Sequence, residues 1–179
     1  INNMTGILNP QAVVQSLPII EGMSIADFGA GSGFFSLALA HSLNNNGRVI
    51  ALDASEKALD ALNARAKLEK VSTIIETITA NLEKPRGSKL NNGSVDMVLA
   101  SNILFETKNK EAILKEAKRI LKDTGYLVII DWKPDKLPQS DLLYPLSSEE
   151  AKDLVKSLGF TFKEEIFVSD THYCLVFTK

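Results

Sequence analysis

Apolar residues fall along this chain in two rhythms. Short, mainly apolar runs recur at 24–28, 48–53, 95–100 and 126–131, each rich in Val, Ile, Leu or Ala. Such runs predict strands buried on both faces. Between them, apolar residues recur at helical spacing over 34–43, 55–69, 109–121 and 147–158, with Ala58, Leu59, Leu62 and Ala66 along one face of the second stretch. A short helix is predicted at 10–17, where Asn9 can cap and Pro10 takes the first position. Ser55 can cap the helix that follows the second strand, and Ser147 with Glu150 forms a capping box before a helix that Gly159 stops. Asn44-Asn45-Asn46-Gly47 ends the helix at 34–43. The stretch 72–79, rich in Ile and Thr, predicts another strand. Residues 81–93 and 134–145 are polar or proline-punctuated and predict loops. No internal repeat or low-complexity tract interrupts the pattern.

Strands alternating with helices imply a parallel sheet covered on both faces. The C-terminus breaks that rule. Strand-like runs at 161–168 and 172–178 are separated only by Ser169-Asp170-Thr171. A parallel return needs a dozen or more residues, so this pair is antiparallel.

One turn stands out from the rest. Ile25-Ala26-Asp27-Phe28-Gly29-Ala30-Gly31-Ser32-Gly33-Phe34 reads as a buried strand, a glycine turn and the opening of a helix. Glycines at alternate positions strip side chains from the loop, so that a ligand can lie against the backbone. The next strand ends in a carboxylate, Asp53. A glycine turn followed at that distance by an acidic strand end is how α/β proteins hold a ribose-bearing ligand. Dinucleotide sites use G-x-G-x-x-G, yet the position of the third glycine here is Phe34. Asp27 would repel a pyrophosphate beside the loop, whereas it suits a ligand that carries an ammonium and a sulfonium.

This pattern resembles motif I of the class I S-adenosylmethionine-dependent methyltransferases. Leu121-Lys122-Asp123-Thr124-Gly125-Tyr126-Leu127 is similar to that family's Leu-Lys-Pro-Gly-Gly turn, with Asp123-Thr124 in place of Pro-Gly. Gly6-Ile7-Leu8-Asn9-Pro10, Glu21-Gly22-Met23 and Asp131-Trp132-Lys133-Pro134 resemble the small branch that includes quinone-biosynthesis and arsenite methyltransferases. The arsenite chemistry uses several thiols, and this chain has one, Cys174. The resemblance implies an α/β fold: a Rossmann-like three-layer sandwich with a mostly parallel, seven-strand-type sheet ending in an antiparallel C-terminal hairpin. It implies one domain over 1–179, with 1–18 as an N-terminal cap segment. It also implies S-adenosylmethionine as cofactor and S-adenosylhomocysteine as product.

Carried over by position, the glycine loop Asp27, Gly29, Ala30, Gly31, Ser32 and Gly33 would wrap the methionine and ribose, and Asp53 would hold the ribose hydroxyls. Ala54 would offer a small apolar surface to the adenine. Asn81 and Leu82 would meet the base, Asn81 keeping a carbonyl acceptor where relatives often have Asp. Ser101 and Asn102 would lie near the reactive methyl group. Phe105, Asp131, Trp132 and Tyr173 are the candidates for a substrate pocket. Asp131 and His172 are the candidates for a general base, although Asp131 could equally bond backbone at a strand end and His172 could be a hairpin-shoulder residue. A pocket filled by Phe105 and Trp132 would point to a non-catalytic nucleoside-binding module; an open one favours catalysis. A nicotinamide-dependent oxidoreductase remains the enzymatic alternative, disfavoured by Phe34 and the hairpin.

Composition narrows the partners. The 179 residues carry a net charge of −2, with a pI near 5.8 and no basic run, so a nucleic-acid substrate held through phosphates is not expected. A small-molecule acceptor is. The single cysteine fits a reducing, cytoplasmic setting. No apolar run reaches membrane-spanning length, and an N-terminus at Ile1 without a signal-peptide pattern suggests trimming or a missing leader. His41 and His172 are far apart in sequence and no Cys/His pair has ligand spacing, so no metal site is expected.

Overall fold

The computed structural model describes residues 8–137, 140 and 142–179; Gly6 and Ile7 of the first resemblance segment lie outside them. The strands are β1 (Ser24–Phe28), β2 (Arg48–Asp53), β3 (Ile75–Thr79), β4 (Val95–Ser101), β5 (Leu121–Trp132), β6 (Thr161–Ile166) and β7 (His172–Thr178). The helices are α1 (Pro10–Gln15), α2 (Phe34–Ser42), α3 (Glu56–Leu68), α4 (Lys110–Ile120) and α5 (Ser148–Ser157). The strands form one seven-stranded sheet in the order β3-β2-β1-β4-β5-β7-β6. Only β7 runs against its neighbours β5 and β6. This is a Rossmann-like, three-layer α/β fold with a reversed strand inserted near one edge.

Strand residues alternate between two faces, and each face has its own core. One core joins Ile25, Val49, Ala51, Met97, Leu99, Val128, Ile130, Cys174 and Val176 to α1, α2 and α3. The other joins Ala26, Phe28, Ile50, Leu52, Val98, Ala100, Leu127, Ile129, Tyr173 and Leu175 to α4 and α5. That parity decides which strand-end residues reach the site.

Local chemistry sets the helix ends. The Asn9 side chain accepts from Ala12 N, and Ser55 from Ala58 N. At α5 the capping box is complete, with the Glu150 carboxylate accepting from Ser147 N at 2.8 Å. Gly159 leaves that helix at φ +84°, a left-handed conformation that glycine adopts without a Cβ penalty.

Three elements differ from the sequence expectation. β3 starts at Ile75 rather than 72, because residues 72–74 form a turn in which Val71 N reaches back to Ala66 O and Ile74 N to Val71 O. β5 begins at Leu121 rather than 126: Leu121 already pairs with Val95, and the register then jumps to Tyr126 opposite Met97, so the turn-like residues between them form a bulge within the strand. β6 stops at Ile166 rather than 168, because Ser169 Oγ gathers the backbone N–H groups of Thr171 and His172 and turns the chain.

Candidate functional site

In an open α/β sheet the crevice beyond the carboxyl ends of the parallel strands lies where strand order reverses. Here that point is between β1 and β4, the inner pair from which the sheet grows in both directions. The structure has two adjoining hollows there. The first, about 620 Å³, is lined by Asp27, Ala30, Ser32, Phe34, Phe35, Ser101, Trp132, Thr171 and His172, with Leu8 and Pro10 closing one side. The second, about 500 Å³, is lined by Asp53, Ala54, Ala80, Asn81, Leu82, Ile103, Glu106 and neighbours. Gly29, Gly31 and Asn102 belong to both and form the waist between the two lobes.

The glycine loop is built from several directions. Gly29 N and Ala30 N both donate to Leu52 O, tying the turn to the end of β2. One carboxylate oxygen of Asp53 accepts from Gly31 N at 2.8 Å, and the other from Ser55 N at 2.8 Å. From α3, Arg65 donates to Ser32 O at 3.0 Å and lies 4.4 Å over the Phe34 ring. The glycines divide the labour. A Cβ at Gly31 (φ +53°) would point into open space, so its bareness serves the hollow. A Cβ at Gly33 (φ +88°) would run into the Leu62 side chain, so its bareness serves helix–helix packing. Gly33 lines neither lobe and instead occupies the cap position of α2.

Asp27 is almost fully buried, and its carboxylate accepts from Ser36 Oγ at 2.6 Å. Burial pushes its pKa up to about 6, opposed by the Ser36 hydrogen bond and reinforced by the charge of Asp53. Asn81 lines the second lobe, but its side-chain carbonyl already accepts from Glu83 N at 3.1 Å. Ala54 and Leu82 stand on the walls beside it.

Three of the expected pocket residues are elsewhere. Asp131 and Tyr173 sit opposite each other on β5 and β7, and both point to the α4–α5 face, one residue out of phase with Trp132 and His172. The Asp131 carboxylate accepts from Phe105 N at 3.1 Å and Trp132 N at 2.8 Å, and burial lifts its pKa to about 6. It braces the turn at Leu104–Glu106 and lines neither lobe. Phe105 lines neither lobe; its backbone bonds Asp131 on one side and Tyr144 N on the other. With its carboxylate held by these two backbone N–H groups, Asp131 does not face the first lobe as a base would.

Ser101, Trp132 and His172 share the face that the first lobe opens on. Trp132 pairs with His172 across β5 and β7, their rings 4.1 Å apart at 41°. His172 Nδ1 contacts Thr171 Oγ1 at 2.8 Å, and burial, with the charge of Lys133, pushes its pKa down to about 4. The ring is therefore neutral at physiological pH. Among the described residues, Ser101 Oγ, Asn102 Oδ1, His172 Nε2 and, on the opposite face, Tyr173 Oη are buried with no hydrogen-bond partner. Sequence reasoning overlooked Leu8, Pro10, Phe34 and Phe35 as walls of this lobe. The two phenylalanines follow directly on the glycine turn, which was the available signal. No group of three or more potential metal-ligating side chains occurs among the described residues, and no helix there is long and apolar enough to cross a membrane.

A parallel α/β sheet with a glycine waist, an acidic second strand end and a reversed strand near its edge defines a nucleoside-cofactor-binding Rossmann-like protein. The chain belongs to the methyltransferase-domain family, which it matches over residues 19–165. Demethylmenaquinone methyltransferase of Lactococcus lactis is 34% identical over 119 residues, covering 66% of this chain and 46% of that protein. Arsenite methyltransferase of Aquipseudomonas alcaligenes is 25% identical over 157 residues, covering 80% and 45%. A highly reducing polyketide synthase of Alternaria alternata is 28% identical over 131 residues, covering 72% of this chain and 4% of the synthase. The chain thus spans less than half the length of these curated relatives. In fold, it superposes on a SAM-dependent methyltransferase from Aquifex aeolicus with a TM-score of 0.81 at 22% identity, covering 95% of this chain and 89% of that one. It also superposes on geranyl diphosphate C-methyltransferase from Streptomyces coelicolor, with a TM-score of 0.76 at 13% identity, covering 94% and 78%.

Proposed function

We propose that this chain acts as one domain that binds S-adenosylmethionine and transfers its methyl group to a small molecule. The carrying observation is the pair of lobes joined at Gly29, Gly31 and Asn102. One lobe has the chemistry of a nucleoside site, with the Asp53 carboxylate at its edge and Ala54, Leu82 and Ile103 on its walls. The other combines a buried carboxylate, Asp27, with aromatic walls and has room left over. Phe105 leaves that room open, which supports catalysis over a binding module.

The residues fit the cofactor. The Asp53 oxygens, each holding one backbone N–H, keep lone pairs for ribose hydroxyls. Asp27 places negative charge where an ammonium would lie, and the bare Gly31 lets the ligand pass from one lobe to the other. When bound, the cofactor supplies an electrophilic methyl on a sulfonium that leaves as a neutral thioether. The chain's own work is to orient and to exclude water, and holding reactants in line contributes roughly 7–11 kcal/mol. With Asp131 on the far face, Asp27, which Ser36 already engages, is the only carboxylate lining the first lobe among the described residues. His172 is a weak base at a pKa of about 4. The reaction therefore relies on positioning and on a nucleophile that loses its proton readily.

Calorimetric titration with S-adenosylmethionine, S-adenosylhomocysteine and NADH tests the reading. Micromolar binding of the first two and none of NADH is expected; NADH binding alone would replace it with a reductase.

A further inference from the structure

We infer that Glu106 selects the base of the cofactor, its carboxylate accepting from the exocyclic amine of adenine, a reading that rests on the proposed cofactor site. Glu106 stands on the wall of the second lobe with Asp53, Ala54, Asn81, Leu82 and Ile103. Its neighbour Thr107 donates from Oγ1 to the Glu83 carboxylate at 2.8 Å. The turn at Leu104–Glu106 therefore abuts the Asn81–Glu83 end of that hollow. The ribose hydroxyls have Asp53, fixed between Gly31 N and Ser55 N. The base then lies against the apolar walls of Ala54, Leu82 and Ile103, and its amine is the donor still in need of an acceptor.

The other side-chain acceptors at that end are committed. Asn81 Oδ1 is turned back into its own loop, accepting from Glu83 N at 3.1 Å, and Glu83 is taken by Thr107. Among the described residues no hydrogen bond or ion pair engages the Glu106 carboxylate, and no lysine or arginine lines the lobe. The residue is exposed at the rim of the hollow. Partial desolvation of its carboxyl group, and then the charge of Asp53, raise its pKa. Two like charges facing one hollow repel each other. A ligand that brings hydroxyls to Asp53 and an amine to Glu106 relieves both.

The backbone that carries Glu106 is held on both sides. Asp131 accepts from Phe105 N at 3.1 Å, Tyr144 N donates to Phe105 O at 2.6 Å, and Lys110 Nζ donates to Thr107 O. With residues 105 and 107 fixed, binding has one side chain to order, which keeps the entropic cost low. The buried Asp131 carboxylate thus serves the cofactor indirectly, by pinning the turn that presents Glu106. An ionised carboxylate accepts hydrogen bonds and donates none, and its bonds are stronger than those of a neutral amide such as Asn81. Glu106 therefore favours a base that offers an amine at that edge.

The test titrates the intact chain calorimetrically with S-adenosylhomocysteine and with its 6-deamino analogue, in which hydrogen replaces the amine. The parent should bind the first about tenfold more tightly, as loss of one charge-assisted bond at a partly exposed site implies. Glu106→Ala should bring S-adenosylhomocysteine down to the affinity of the analogue and leave the analogue's own affinity in place. A residue that only shaped the turn would weaken both ligands alike. Glu106→Gln keeps a neutral acceptor and should show an intermediate preference. Asn81→Ala should keep the full preference of the parent, because its carbonyl is turned into its own loop. A preference that survives in Glu106→Ala, equal weakening of both ligands there, its loss in Asn81→Ala, or its absence from the parent would overturn the inference. Failure of the parent to bind S-adenosylhomocysteine would instead overturn the cofactor reading beneath it.

Discussion

Asp27→Asn should stabilise the free protein and cripple cofactor binding, and the size of the first effect follows from the structure. Asp27 is 1% exposed at the end of β1, and burial pushes its pKa to about 6, against an ordinary value near 4. The neutral form is therefore the one the fold prefers. Its stabilising contribution is fully present below the unfolded value near 4 and is lost as pH rises through about 6. Two pH decades correspond to about 3 kcal/mol, which is the charge penalty the protein carries at pH 7.5. Asparagine keeps the shape and can still accept from Ser36 Oγ, but never ionises. Urea unfolding followed by the fluorescence of Trp132, the single tryptophan, should show the variant about 3 kcal/mol more stable at pH 7.5 and equal to the parent near pH 3.5. His172, whose depressed pKa acts in the opposite sense, is common to both proteins and cancels in the difference. In the same samples S-adenosylmethionine should bind at least tenfold more weakly to the variant. A gain independent of pH, or a variant less stable at pH 7.5, would refute the assignment of Asp27 as a carboxylate retained at a cost to stability for a cationic ligand.

Asp53→Ala removes the acceptor of Gly31 N and Ser55 N as well as the ribose anchor; cofactor affinity should fall about tenfold or more, since a charge-assisted bond contributes roughly 1.5–3 kcal/mol, and unchanged affinity would remove Asp53 from the site. Gly31→Ala and Gly33→Ala should fail in different ways. The first keeps the fold at a penalty of about 1–2 kcal/mol for a left-handed alanine but loses cofactor binding, whereas the second drives a methyl into Leu62 and lowers the unfolding midpoint sharply. Thermal melts and calorimetry on both would separate the roles, and identical behaviour would defeat the division. Glu116 is buried against Ser88 and Arg119, whose hydrogen bonds overcome the desolvation and hold its pKa down at about 2. Its stabilisation is present above the ordinary value near 4.3 and lost as pH falls toward 2. Glu116→Gln should therefore be less stable than the parent at pH 7, with the gap closing below pH 3; a gap constant across that range would sink the argument.

Much of this protein is legible from local pattern. Short, mainly apolar runs gave β1, β2 and the body of β4, caps at Asn9, Ser55 and Ser147 gave three helix starts, and the three-residue gap before His172 made the last pair antiparallel. These features depend on neighbours in sequence: backbone dihedrals at glycine, hydrogen bonds from a side chain to the N–H three residues on, and the reach of a short connection. The glycine turn and Asp53 are legible for the same reason, because the turn geometry and the following strand end are local.

The substrate side is where local reading failed. Asp131, Trp132, His172 and Tyr173 are adjacent in pairs along two strands, and nothing local tells which member of each pair faces the hollow. Strand alternation alone puts Trp132 with Ile130 and Asp131 with Ile129. Only the register of β5 against β4 and β7, and the placement of α1 and α2 on one face with α4 and α5 on the other, decide that the tryptophan and histidine look into the cavity while the aspartate and tyrosine do not. Backbone chemistry and sequence neighbours therefore determined the elements and the cofactor turn. Tertiary packing decided the face each strand end presents, because a one-residue change of phase moves a side chain from one core to the other.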